Sequence, residues 1–151
     1  MRTVVLYLAL MCAAAAVVHN PAAHAADSTP VNAAPDLSAV RAQIKAKQYA
    51  AALVQLKALA VSNPTADVFS LLGHALWKTG DPAQGMVYYN KALALNPSHK
   101  GALEYQGELF VELGQIDKAK ENLSRLNKLC WFGCEEASDL KEAIEHAPKR
   151  S

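Results

Sequence analysis

Residues 66–97, ADVFSLLGHALWKTGDPAQGMVYYNKALALNP, decide the fold. The large apolar side chains Phe69, Leu72 and Leu76, and after a break Tyr89 and Leu93, recur at intervals of three and four. That is the period of a helix face rather than the alternation of a strand. Gly80 can take the left-handed conformation that ends the first helix. Asp81 can then cap the second helix, and Pro82 suits its first turn. Gly73, Ala75, Gly85 and Ala92 are small enough to let the two helices approach closely. The stretch therefore reads as a helix hairpin.

The hairpin is repeated. Gly73 recurs as Gly107 and Gly80 as Gly114, and at the same interval Phe69, Leu76, Gly85 and Tyr89 recur as Leu103, Phe110, Ala119 and Leu123. A degenerate earlier unit lies upstream, where Ala52, Leu56 and Asn63-Pro64 stand at the positions of Gly85, Tyr89 and Asn96-Pro97. A period of this length implies stacked units that bury their apolar faces against each other. The pattern predicts helices at about 36–47, 49–62, 66–79, 82–95, 100–113 and 116–129. A last helix at about 137–147, with Leu140, Ala143 and Ile144 on its apolar side, would cover the open end.

These residues resemble the tetratricopeptide repeat (TPR), a helix-turn-helix unit of about 34 residues. In residues 66–97 the family's characteristic positions fall on Phe69, Leu72-Gly73, Leu76, Gly80, Gly85, Tyr89, Ala92 and Pro97. The third unit keeps Leu103, Gly107, Phe110, Gly114, Ala119 and Leu123. It puts Gln106 where Leu is usual and Trp131 where the closing Pro should stand. The first unit keeps only its second half, AKQYAAALVQLKALAVSNP. The resemblance implies an all-α solenoid of about three helix pairs, units about 36–65, 66–99 and 100–133, plus a C-terminal capping helix at 137–147. The repeat domain then spans 36–147, and 148–151 form a short tail.

The N-terminus bears on compartment. Arg2 precedes the apolar run VVLYLALMCAAAAVV, and Ala23-His24-Ala25 offers a small-residue cleavage site. This reads as a signal peptide over residues 1–25 that directs export, in a bacterium to the periplasm. The run is shorter than the roughly 20 residues a membrane anchor needs, and His19, Asn20 and Pro21 close it, so no stable insertion is expected after cleavage. Residues 26–35, ADSTPVNAAP, lack periodicity and read as a flexible leader. Without residues 1–25, 14 basic side chains balance 14 acidic ones. A neutral chain has no general attraction for nucleic acid. The distribution is uneven, since residues 26–100 carry seven basic and four acidic side chains and residues 101–145 five basic and ten acidic. A groove on this chain should be polarised.

The TPR resemblance implies that the first helix of each pair lines an inner surface that binds a protein or peptide. Carried over by repeat position, that surface receives Arg41, Ile44 and Lys45 from the first unit, and Ser70, His74, Trp77 and Lys78 from the second. The third adds Glu104, Tyr105, Glu108, Val111 and Glu112. These polar and aromatic positions are expected to point away from the core, with Trp77 as an anchor for a partner side chain. Glu104, Glu108 and Glu112, spaced by four, would repel one another unless cations from the other units or from a partner offset them. The family's carboxylate-clamping version, built from Lys, Asn and Arg, is not expected where Ser70, Glu104 and Glu108 stand.

Catalytic signals are weak. There is no phosphate-binding glycine loop, no paired histidines at metal spacing and no nucleophile elbow, and His74, His99 and His146 are scattered singly. The chain reads as non-enzymatic and free of a cofactor.

Cys130 and Cys134, in CWFGCEE, remain after export. An even count in an oxidising compartment favours a disulfide. Residues four apart in a continuous helix hold their β-carbons too far apart for that bond, so a bond requires the helix to have ended, with Gly133 supplying the turn. Free redox-active thiols and a copper site formed with His146, Glu135 or Glu136 remain open alternatives. Trp131 and Phe132 are expected to pack beneath the cap. The stretch from Ala102 to Ile144 also resembles the C-terminal part of small exported bacterial repeat proteins that carry Cys, two apolar residues, Gly, Cys and two Glu. That likeness implies a recurring structural ending and no known activity.

Overall fold

The computed structural model describes residues 34–148. The expected signal peptide, the leader through residue 33 and residues 149–151 lie outside the described residues. Among those described there are seven helices and no strand. They are α1 Ser38–Lys45, α2 Tyr49–Ser62, α3 Ala66–Lys78, α4 Pro82–Leu95, α5 Lys100–Glu112, α6 Ile116–Leu129 and α7 Glu135–Glu145. None is long and apolar enough to cross a membrane.

The turn inside each pair closes in the same way. The amide of Asp81 donates to the carbonyl of Leu76 at 2.9 Å, Gln115 to Phe110 at 2.7 Å, and Gln48 to Gln43 at 2.8 Å. Gly80, Gly114 and Lys47, one residue earlier in each case, donate to Trp77, Val111 and Ile44. This double closure needs a left-handed residue. Gly80 at φ 95° and Gly114 at φ 69° supply it without steric cost, whereas Lys47 holds φ 58° with a Cβ attached. The hairpin of the degenerate first unit is thus the same turn made with a less suitable residue. Asp81 caps α4 by accepting from the Gln84 amide at 3.0 Å, Thr65 caps α3 and His99 Nδ1 caps α5.

Small residues set the approach of the helices. A Cβ on Gly73 would lie 2.8 Å from the Tyr89 ring and 2.9 Å from the Gly85 carbonyl oxygen, so α3 and α4 touch backbone to backbone. The equivalent Gly107 meets a different neighbour, since a Cβ there would lie 2.5 Å from Leu140 of α7. One core joins Leu37, Val40, Leu56, Val68, Leu72 and Leu76 of the first two pairs. Another joins Leu103, Ala119 and Leu126 of the third pair to Ala137 and Leu140 of α7. Trp77, Tyr89 and Leu109 form a third cluster, with Met86 and Tyr105 packed against it. Each fully buried Leu contributes roughly 1.5–3 kcal/mol through apolar area removed from water.

Gln106, where the repeat usually has Leu, is buried and bonded on both sides. Its amide donates to Asn90 Oδ1 of α4 at 2.8 Å, and its oxygen accepts from Asn122 Nδ2 of α6 at 3.1 Å. Asn122 also donates to the Leu103 carbonyl. A polar seam across three helices replaces the apolar contact and satisfies the buried amides.

α7 starts ahead of the expected 137 and ends at Glu145, because extended Cys134 forms its N-cap and Glu135 and Glu136 fit the positive end of the helix dipole. Ala137, Leu140 and Ile144 follow Leu103, Gln106 and Phe110 by the same interval that separates Gly73 from Gly107. The cap is therefore the first helix of a fourth unit, packed on α5 and α6. At the junction, Cys130 donates its amide to Leu126 as Asn96 does to Ala92 at the end of the preceding pair. Cys130 and Cys134 lie at disulfide distance with Cα atoms 5.6 Å apart. Trp131 and Phe132 do not pack beneath the cap as expected. They are 78% and 83% exposed, because the Gly133 amide donates to the Cys130 carbonyl and places both rings at the tip of a tight turn, where they contact each other.

Candidate functional site

The first helices of the units, α1, α3, α5 and α7, line a groove of about 530 Å³. Arg41 comes from α1, Asp67 and Ser70 from α3, and Glu104 and Tyr105 from α5. Glu135, Glu136 and Asp139 come from α7, and Asn96, Ser98 and His99 of the α4–α5 loop form one rim. A second cavity of about 360 Å³ continues between α5 and α7, bounded by Glu108, Asp139, Glu142 and His146.

Of the residues expected on the inner surface, Arg41, Ser70, Glu104 and Tyr105 meet in the main groove, and Glu108 lines the second cavity. Their exposure differs from the expectation. Ser70, His74, Trp77 and Glu104, expected to point away from the core, are each at most 8% exposed. α3 packs against α2, α4 and α5, and α5 against α3, α4, α6 and α7, so little of either helix is left open. His74 is packed among Tyr49, Trp77 and Tyr105, the last with ring centroids 4.2 Å apart. Burial, with the Lys78 charge nearby, depresses the imidazole to about 4. Trp77 is a bridge between units rather than an open anchor, because its indole N–H donates to Glu112 Oε2 at 2.9 Å and Lys78 covers its ring. Lys45 is exposed in the last turn of α1 and outside both cavities.

Asp67 ties the upper rim together. It accepts from Arg41 at 2.7 Å, and His99 Nε2 lies 3.4 Å away. His99 Nδ1 accepts from the Ala102 amide, so the proton of the neutral ring sits on Nε2, facing Asp67. Lys100 approaches Glu136 at 3.7 Å. Glu104 lies at the acidic end, where burial and then the charges of Glu108, Asp139, Glu136 and Glu135 raise it to about 8. Glu108 is raised as well, by burial, with Lys78 opposing and Asp139 adding to the effect. Tyr105 is pushed up to about 12 by burial and by Glu104 and Glu108. The groove wall carries five acidic side chains, Asp67, Glu104, Glu135, Glu136 and Asp139, and two basic ones, Arg41 and Lys100.

A reading of the sequence by three units does not assign Asp67, His99, Lys100, Glu135, Glu136 and Asp139 to the groove. A signal exists, since Asp67, Gly101 and Glu135 share one repeat position and Tyr105 and Asp139 another, once α7 is counted as a fourth unit. At the junction, Cys130, Cys134 and Glu136 hold potential ligand atoms within 4.8 Å of one another.

The architecture defines an all-α helical repeat solenoid with a groove along its first helices. Residues 66–99 match the Tetratricopeptide repeat family, whose repeats generally mediate protein–protein interaction. No curated protein matches the chain.

Proposed function

We propose that this chain is a non-catalytic protein-interaction module of the bacterial periplasm that holds a peptide or an extended partner segment in the groove of α1, α3, α5 and α7. The groove itself carries the reading, because it runs across helices of every unit and is lined mainly by side chains with hydrogen-bonding capacity. An extended segment needs such a lining, since its backbone groups must find partners when they leave water. Arg41 and Asp139 come from the first and last of these helices, and Tyr105 from α5 between them. Immobilised protein and the double variant Arg41→Ala/Asp139→Ala, incubated with periplasmic extract, provide the test. A partner retained by the parent and lost by the folded variant is expected, and equal retention would reject the groove.

A second reading rests on Cys130, Cys134 and Glu136, which in the reduced state would offer two thiolates and a carboxylate to copper(I). Mass spectrometry of protein isolated from the periplasm separates the readings. A metal-free disulfide supports the structural junction, and stoichiometric copper supports metal handling.

A further inference from the structure

The cations of the groove wall are already matched. Arg41 is bound to Asp67, and Lys100 approaches Glu136. Glu135 and Asp139 have no ion-pair partner among the described residues. Glu104, at the floor, is 8% exposed, lines the cavity, and has neither a hydrogen bond nor an ion pair among the described residues. A buried carboxyl without a partner is a costly arrangement that a structural role does not require. It becomes favourable when an external cation enters, because charge-assisted bonds in a partly desolvated site are stronger than at an open surface.

We infer that the acidic end of the groove, Glu104 with Glu135 and Asp139, is a subsite for a cationic side chain, a lysine ammonium or arginine guanidinium carried by the partner protein. The inference rests on the interaction reading above and narrows it to a partner segment with a basic residue. Arg41, held by Asp67 between α1 and α3, disfavours a second cation at its end of the groove and thereby sets the direction in which the segment lies. Tyr105 provides an aromatic wall against which the aliphatic stem or the guanidinium plane can rest. When the cation enters, Glu104 gives its proton to solvent and becomes the carboxylate of the new pair, so charge balances within the site.

The test is a titration of the ¹⁵N-labelled protein, followed by the amide signals of Glu104, Tyr105 and Asp139. The probes are capped Ala-Arg-Ala, Ala-Lys-Ala and Ala-Gln-Ala peptides, spermidine and calcium chloride. The basic peptides should shift these signals saturably and bind about tenfold more tightly than the Gln peptide, the difference a charged hydrogen bond supplies. Glu104→Gln, which keeps shape and relieves a buried acid, and the exposed Asp139→Asn should each remove most of that preference while preserving the rest of the spectrum. Equal binding of the Gln peptide would overturn the cation subsite and leave peptide capture standing. Tighter binding of spermidine or calcium at the same signals would make this a free-cation site and overturn the side-chain assignment. No shift with any probe would overturn the subsite, while the extract experiment decides peptide capture separately.

Discussion

Glu104 holds its proton more tightly in the folded chain than in the unfolded one, about 8 against an ordinary 4.5. A group of that kind adds stability at low pH, and the contribution is lost as pH rises from about 4.5 toward 8. Glu108 acts in the same direction. His74 opposes them, because its ring is neutral when buried and must gain a proton on unfolding between 6.5 and about 4. Above pH 6.5 the glutamates act without that opposition, so the melting temperature should fall between pH 6.5 and 8. Glu104→Gln should remove most of that fall and raise the melting temperature at pH 8. An unchanged slope in the variant would mean that Glu104 is not the buried acid. None of this is legible in the sequence, where a Glu stripe on a helix reads as a surface. Burial of Glu104 follows from α7 lying against α5, a contact that spacing inside one helix cannot reveal.

At the scale of the element, the turns and helix contacts are far more legible. Glycine at 80 and 114 and aspartate at 81 carry local chemistry that tertiary context does not override. Lys47 occupies the position of Gly80 in the preceding unit, has the same left-handed backbone and lies where the repeat pattern is degenerate. Lys47→Gly relieves about 1–2 kcal/mol of steric cost and loses roughly 0.5–1 kcal/mol through the freer unfolded chain. A net gain of up to about 1.5 kcal/mol in denaturant midpoint experiments is expected from that difference, and destabilisation would argue against the shared turn. Gly107→Ala has the opposite sign, because its Cβ would meet Leu140. Overpacking there should cost about 1–3 kcal/mol and increase hydrogen exchange in α7 before the other helices. The aromatic pair Trp131 and Phe132 shows where local reading fails. Apolar residues next to a helix end are expected to be covered, but a turn closed between Cys130 and Gly133 leaves its two central side chains in water.

For the whole molecule, the repeat period is sufficient to order the helices, since each unit buries its faces only against its neighbours. The groove is half legible for the same reason. Repeat position brings Arg41, Ser70, Glu104 and Tyr105 to one surface, while Glu135, Glu136 and Asp139 are not assigned to it as long as α7 counts as a lid instead of a fourth inner helix. That addition makes the groove asymmetric, since the matched pair Arg41 and Asp67 comes from α1 and α3 and the unmatched Glu135 and Asp139 come from α7. The most direct measurement of partner capture is site-specific photo-crosslinking in living cells that express the full chain, with the photoreactive residue placed at Asp139 inside the groove or at Val61, which is 86% exposed on α2 and outside it. A discrete protein adduct from position 139 and none from position 61 is the predicted result. Adducts of equal yield from both positions, or from position 61 alone, would contradict capture by the inner helices.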